Sequence, residues 1–398
     1  MSINGNMKQV LSVQELRSLN PMQIERLQNA KFHAAAKNLL PQTKFYSGLF
    51  KEYGVDPAKL KKVEDWKKQG LPLVKKFYYM KHVEDFVVKP DDAFKTHLSY
   101  LRDLSTGAAL DLAFKMLDKQ ALAHQLHYFF HPKMPLFSGG TQSGKPTPTL
   151  ITMPQLRNLD NVMGIAAQLM SQDYFKDTVG MNLFPYGPHL AWHAVQSAFN
   201  LGVDLNLATA AGSAMKTKDL VEMADKFKAN VFAGMAEYMA NRFLPMAVKK
   251  KIKLKKNILF INGSEPMLSK DKDKILKLSK KLGVKNTLVL DFYGVSEMKE
   301  DIFAECRPGS GFHHIAPLST IVKTIRINKL KKGDFIDDWS FSKPEDGGAA
   351  VMWNINGAGT LLHGYLVGDK YKKIVKGRCP NCRLNTERVY GVGRLELK

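Results

Sequence analysis

The sequence FSGGTQSGKPT, Phe137 to Thr147, packs three glycines, four hydroxyl side chains and one lysine into a single turn region. It follows the extended apolar run Lys133-Met134-Pro135-Leu136. Glycines let a backbone fold tightly and bring its N–H groups close to a ligand. Ser138, Thr141, Ser143 and Thr147 add hydroxyl donors, and Lys145 adds a point charge. Anionic oxygens, above all those of a polyphosphate, suit such a loop best. An ordinary surface turn rarely combines these features. A Walker A loop, G-x-x-x-x-G-K-[ST], is matched by Gly139, Gly144 and Lys145 but broken by Pro146. That residue stands where the magnesium-binding hydroxyl belongs and also removes an N–H that would face phosphate.

After this loop, strands alternate with helices. MNLFPYGPHLAWHAVQSAFNLGVDLNLAT (181–209) reads as strand, turn, helix, strand. ADKFKANVFAGMAEYMANRF (224–243) repeats helix, strand, helix, and NILFING, KDKILKLSKKLG and NTLVLDFYG continue the pattern. This spacing predicts an α/β fold with mainly parallel sheets flanked by helices. After Glu305 the runs become shorter and β-like (STIVKTIRI, GAAVMWNI, TLLHGYLVGD), which predicts a smaller, mixed or antiparallel β subdomain. Upstream, Leu11, Val13, Leu16, Leu19, Ile24, Leu27 and Phe32 form a helical stripe over residues 8–40. Residues 110–131 read as one further helix.

The 398 residues, 44% of them hydrophobic, suffice for a large core and two or three domains. The first residues lack the apolar core of a secretory signal, and no run of about 18 apolar residues predicts a membrane span. Three cysteines fit a reducing interior, so a cytoplasmic location is expected. The net charge is +22, and its lysines spread over the whole chain with dense runs in Lys249–Lys256 and Lys270–Lys281. Such a field attracts acidic partners. The lysines lack the interleaved aromatics of a base-stacking groove, so nucleic acid is not the expected partner.

Four further stretches carry chemistry: INGSEP (261–266), DFYGVSEM (291–298), GYLVGD (364–369) and GVGRLELK (391–398). Taken with the glycine loop, and in this order, they resemble the motif series of the adenylate-forming acyl- and aryl-CoA ligases, particularly the phenylacetate-CoA ligase-like branch. The loop resembles that family's S-S-G-T-T-G-K-P-T, with Gln142 as an insertion. The resemblance implies the large, multi-subdomain amino-terminal domain of that fold. It also implies ATP and Mg²⁺ as cofactors. A small carboxylic acid would be the substrate, and CoA or a carrier protein's phosphopantetheine the acceptor.

Residue by residue, the resemblance gives the phosphates to Ser138, Gly139, Gly140, Thr141, Ser143, Gly144, Lys145 and Thr147. Gly263, Ser264, Glu265 and Pro266 form the turn beside the base. Within the next motif, with Asp291 and Gly294, Tyr293 would stack on adenine, Ser296 would approach the α-phosphate and Glu297 would hold Mg²⁺. A hard cation favours carboxylate and phosphate oxygens together. Asp369 would accept from the ribose hydroxyls and Arg394 would reach ribose or phosphate. Leu366 and Val367 depart from the family's arginine and threonine. For the acyl group the resemblance points to Tyr186, His189 and Trp192 and to the stretch Met235-Ala236-Glu237-Tyr238, with Ala236 and Tyr238 as its site candidates; as residues alone they read equally well as core. A family carboxyl-terminal domain beyond the hinge, with its lysine, has no counterpart in these 398 residues.

Cys306, His313, Cys379 and Cys382 form a second constellation. The C-P-N-C pair has zinc-knuckle spacing, and a Cys₃His set would make a closed, structural zinc site, with His314 as the alternative to His313.

The expected organisation is a helical segment over 1–110, an α/β nucleotide- and acyl-binding core over 111–305, a β-rich subdomain over 306–390 and a hinge at 391–398. The expected activity is ATP-dependent activation of an acid to an acyl-adenylate, with transfer to a thiol. Lys145, Ser296 and Glu297 would be the catalytic residues, an acidic acyl carrier protein a compatible partner, and the assembly a homodimer. A protein-acylating synthetase of the fatty-acid-reductase type, and a non-catalytic nucleotide-binding protein of the same fold, are the alternatives.

Overall fold

The computed structural model describes residues 10–138, 146–171, 177–327 and 333–395. Its largest sheet has nine strands. Leu205–Asn206, Val179–Asn182, Val231–Gly234, Asn257–Asn262 and Asn286–Gly294 lie side by side in that order, all parallel. Alternation along these strands places Val231, Ala233, Leu259 and Ile261 on one face and Phe232, Ile258 and Phe260 on the other. The first face packs on helices Met153–Ser171 and Leu190–Gly202, and the second on Thr217–Lys226 and Ser269–Lys281. Burial from both sides explains why these strands read as continuous apolar runs. A Cβ on Gly202 would lie 2.3 Å from that of Ala167, so the two helices of the first face approach closely only because that residue is glycine.

The sheet does not end at the last parallel strand. Ile302–Glu305, Phe312–His314, Arg388–Tyr390 and Lys373–Val375 extend it antiparallel. A second sheet of seven strands orders Phe335–Ile336, Leu73–Lys75, Tyr365–Tyr371, Gly348–Asn354, Thr320–Ile327 and Trp339–Phe341, with Gly393–Arg394 pairing Tyr365–Tyr371. Residues 306–390, read from sequence as one subdomain, are thus divided between the two sheets. Leu73–Lys75 brings a strand from the otherwise helical amino-terminal region into the second one.

The stripe over residues 8–40 is buried as expected but belongs to two helices, Val13–Ser18 and Pro21–Asn38. Leu19 closes the first and Asn20 caps the next, in a capping box with Gln23. The single helix expected over 110–131 is likewise interrupted. The Asp118 carboxylate accepts from the backbone N–H groups of Gln120 and Ala121 and starts a new helix, Lys119–Phe130. No helix among the described residues is long and apolar enough to cross a membrane.

Candidate active site

Strands Pro132–Phe137 and Pro148–Thr152 form an antiparallel hairpin whose tip is the glycine-rich loop. Gly139, Gly140, Thr141, Ser143, Gly144 and Lys145 lie outside the described residues. In the stem, Ser138 N–H donates to the Thr147 carbonyl at 3.0 Å, and Thr147 N–H donates to Ser138 Oγ at 3.2 Å. Ser138 opens onto a cavity of about 300 Å³, whereas Thr147 is buried behind it.

Residues far apart in sequence meet around that cavity: Ser138, Ser264, Glu265, Gly294, Ser296, Glu297, Asp369 and Arg394 all line it. Two of the motifs sit where a strand ends. Gly263 and Ser264 follow Asn257–Asn262; a Cβ on Gly263 would strike the Phe292 ring at 2.3 Å, and Ser264 adopts φ +70°. Ser296–Met298 is a 3₁₀ turn following Asn286–Gly294. The strand carrying Asp369 pairs with the short strand carrying Arg394, residue opposite residue.

Asp369 is buried and doubly engaged. Tyr293 OH donates to its Oδ2 at 2.8 Å, and Arg394 Nη1 donates to Oδ1 at 2.8 Å. Burial pushes the Tyr293 hydroxyl well above its ordinary range, so it remains a donor. Its ring packs on Phe303, which leaves Tyr293 behind the cavity wall. Asp291 also stands behind the wall. Burial pushes its carboxyl up to about 7, although Asn262 Nδ2 donates to it at 2.8 Å.

Lys76 is the site residue the sequence did not single out. Its Nζ lies 2.7 Å from Glu297 Oε1, and both side chains border the cavity. Leu73–Lys75 pairs in parallel with Tyr365–Tyr371 and delivers Lys76 at the start of helix Lys76–Lys81. Tyr79 of that helix donates to the Pro148 carbonyl at 2.8 Å, tying it to the hairpin stem. No local pattern marks Lys76, because its position depends on a strand pairing almost 300 residues away.

The remaining cavity wall is apolar: Phe184, Leu190, Ala191, Ala194, Met235, Phe292 and Ile302 surround it, with His189 and Trp192 at the side. Of the other acyl candidates, Tyr186 is largely exposed and rests edge-on against Trp192. Ala236 and Tyr238 are buried away from the cavity, where Tyr238 OH bonds Thr217 Oγ1 at 2.9 Å. Their neighbour Met235 faces it instead.

Cys306, His313, Cys379 and Cys382 come together in the antiparallel extension of the first sheet, all buried, with their ligand atoms within 4.8 Å of one another. Cys306 Sγ is 3.9 Å from Cys379 Sγ, and Cys382 Sγ is 3.4 Å from His313 Nε2. Donors about 2.3 Å from a tetrahedral zinc stand about 3.8 Å apart, so this set fits the ion. A hydrogen bond from Cys382 holds the Cys306 thiol well below its ordinary range, toward the thiolate that a metal needs. His314 faces Asp301 instead, with Nε2 2.9 Å from Oδ1.

No protein-family model matches the chain, and no protein of curated function does. Among solved structures it is similar to 2-hydroxyisobutyryl-CoA ligase. With the open conformation of that enzyme, in complex with 2-HIB-AMP and CoA, the TM-score is 0.67 at 16% identity, covering 96% of this chain and 77% of that one. With its postadenylation state in complex with 2-HIB-AMP, the TM-score is 0.67 at 17% identity, covering 96% and 70%. These likenesses match the architecture described above: the chain has the fold of the adenylate-forming acyl-CoA ligases.

Proposed function

We propose that the chain activates a small carboxylic acid with ATP and passes the acyl group to a thiol. The observation that carries this reading is a shared cavity: it joins the glycine-loop stem, the Ser296–Glu297 turn, the Asp369–Arg394 pair and an apolar wall. A carboxylate oxygen attacks the α-phosphorus of ATP, the α–β phosphoanhydride bond breaks, and pyrophosphate leaves with its electron pair. A thiolate then attacks the acyl carbonyl and AMP departs. CoA is the first acceptor to test, since the similar ligase structure holds CoA; the phosphopantetheine of an acidic carrier protein is the second.

In this reading Asp369 accepts from the ribose and Arg394 reaches the ribose or a phosphate. Ser138 and the glycine loop, with Lys145, surround the phosphates, and Ser296 approaches the α-phosphate. Glu297 would hold Mg²⁺, which supplies charge neutralisation; a buried carboxylate facing a cavity where phosphates would lie has the right chemistry. The apolar wall favours an acid with an uncharged body. The Cys₃His set is assigned to a structural zinc.

Calorimetric titration of Mg·ATP, AMP and GTP into wild type and Asp369→Ala tests the reading. Adenine-nucleotide binding that is selective over GTP and lost in the variant is the expected result. Equal binding by both proteins, or none by well-folded wild type, would overturn it.

A further inference from the structure

Directly behind the Ser296–Glu297 turn, the chain buries a group of charges that the proposed chemistry does not use. Lys299, Glu300 and Lys31 are fully buried, and so is Asn356. Lys299 also takes φ +62°, a left-handed conformation that costs a non-glycine residue of order 1 kcal/mol or more. Burying an ammonium is expensive unless its protons are taken up. Two of the three are: Lys299 Nζ donates to the carbonyls of Ala358 (3.3 Å) and Thr360. Glu300 accepts from Asn356 Nδ2 at 3.0 Å, and Lys31 Nζ donates to Asn356 Oδ1 at 3.4 Å.

Both ends of this group serve the cavity. At one end, Lys299 N–H donates to the Ser296 carbonyl at 3.1 Å and closes the turn that presents Ser296 and Glu297. At the other, the segment 356–360 is the wall on which the glycine-loop hairpin rests. Leu150 N–H donates to Thr360 Oγ1 at 2.9 Å, and Thr360 N–H donates back to the Leu150 carbonyl at 3.1 Å. Gln155, at the start of the helix that follows the hairpin, donates to the Asn356 carbonyl at 2.9 Å. A Cβ on Gly359 would lie 2.7 Å from the Leu150 carbonyl oxygen, so hairpin and wall have no slack between them.

We propose that Lys299 is a positioning residue for phosphate and metal binding. Its buried ammonium, seated on the Ala358 and Thr360 carbonyls, fixes the Ser296–Glu297 turn against the wall that carries the glycine-loop hairpin. It thereby sets the distance between the carboxylate of Glu297 and the stem of that hairpin. This inference rests on the nucleotide-site reading above. Neither Lys299 nor its partners line the cavity, so the effect is transmitted through geometry. Small displacements at such a site weaken binding and turnover steeply.

The test compares Mg·ATP and AMP binding by calorimetry in wild type, Lys299→Met and Lys299→Gly. Met keeps the length without the charge; Gly deletes the ammonium while relieving the left-handed strain, so it guards against failure to fold. AMP engages the base turn and Asp369, with Ser296 at its α-phosphate as the one contact from the Ser296–Glu297 turn, but not the metal and outer phosphates. Both variants are expected to bind Mg·ATP on the order of tenfold or more weakly while AMP affinity stays within about twofold. Lys299→Arg, which restores a buried cation, should recover part of the loss.

Mg·ATP affinity equal to wild type in either folded variant overturns the proposal. Parallel loss of AMP and Mg·ATP with a fall in melting temperature also overturns it, because that is a purely structural role. Failure of both variants to fold has the same meaning. Wild type that binds neither nucleotide would instead overturn the nucleotide-site reading itself.

Discussion

Lys76 Nζ lies 2.7 Å from Glu297 Oε1, a contact between a residue of the amino-terminal helical region and the motif read as the metal-binding turn. The Glu297 side chain is 5% exposed and that of Lys76 21%, so solvent screens the pair only partly. Removing one partner of such a pair leaves a charge with little compensation. Lys76→Met is therefore expected to lower unfolding stability without ligand by about 2 kcal/mol, less than a fully buried pair would lose. Millimolar Mg²⁺ should restore part of it by taking the vacated place beside the carboxylate. Denaturant unfolding with and without Mg²⁺ measures both effects, and unchanged stability would show that the pair contributes nothing.

Glu297→Gln keeps the shape and removes the charge. Its amide no longer attracts a hard cation, so the apparent affinity for Mg·ATP should fall by about tenfold or more, equivalent to about 1.4 kcal/mol. AMP binding without metal should be unaffected. Steady-state kinetics across a Mg²⁺ series, read beside a melting curve, separate this from damage to the fold. Unchanged turnover at limiting Mg²⁺ would refute a metal role.

Asp291 yields a pH dependence. Burial raises its carboxyl from the ordinary 3.8, which the unfolded chain keeps, to about 7 in the folded protein. Well below pH 4 both states are protonated and Asp291 costs nothing. Between about pH 4 and pH 7 only the unfolded state releases the proton, so the folded protein loses stability as pH rises; above about pH 7 the loss is constant. Asp291→Asn removes the ionisation. Relative to wild type its stability should rise by about 2–4 kcal/mol from pH 4 to pH 7.5, because each pH unit separating the folded and unfolded carboxyl is worth about 1.4 kcal/mol. Denaturation at both pH values decides it, and a difference that does not change with pH refutes the buried-carboxyl argument.

Local patterns carried the parallel strands, the order of the motifs and the metal set. Runs such as Ile258–Ile261 and Val231–Ala233 need only their own neighbours to be recognised, and Cys379 and Cys382 announce a ligand pair by spacing. Partnership between distant segments was not legible. Lys76 reaches the cavity through a strand pairing with Tyr365–Tyr371. Within the stretch 235–238, pattern alone did not tell that Met235, rather than Ala236 or Tyr238, borders the cavity. The interruption at Asp118 was a matter of competition: its carboxylate caps the following helix more favourably than an unbroken helix would use it.

The cysteine cluster also has a reach beyond its own sheet. Arg17 Nε donates to the Cys382 carbonyl at 2.9 Å, and Asn385 N–H donates to the Leu16 carbonyl at 2.9 Å. The loop carrying Cys379 and Cys382 therefore grips helix Val13–Ser18, whose Leu16 is completely buried. A closed Cys₃His zinc site contributes folding free energy directly, because unfolded ligands do not hold the ion in place. Cys382→Ser should lose both zinc content, measured by atomic absorption, and several degrees of melting temperature, since about 1 kcal/mol shifts a large domain by about 2–4 °C. Chelation of wild type should do the same and speed tryptic cleavage after Arg17, while cleavage at distant exposed lysines such as Lys228 keeps its rate. A variant of full stability that never held metal would refute the structural zinc. Loss of zinc with no change at Arg17 would keep the zinc assignment and refute its hold on the amino-terminal helix.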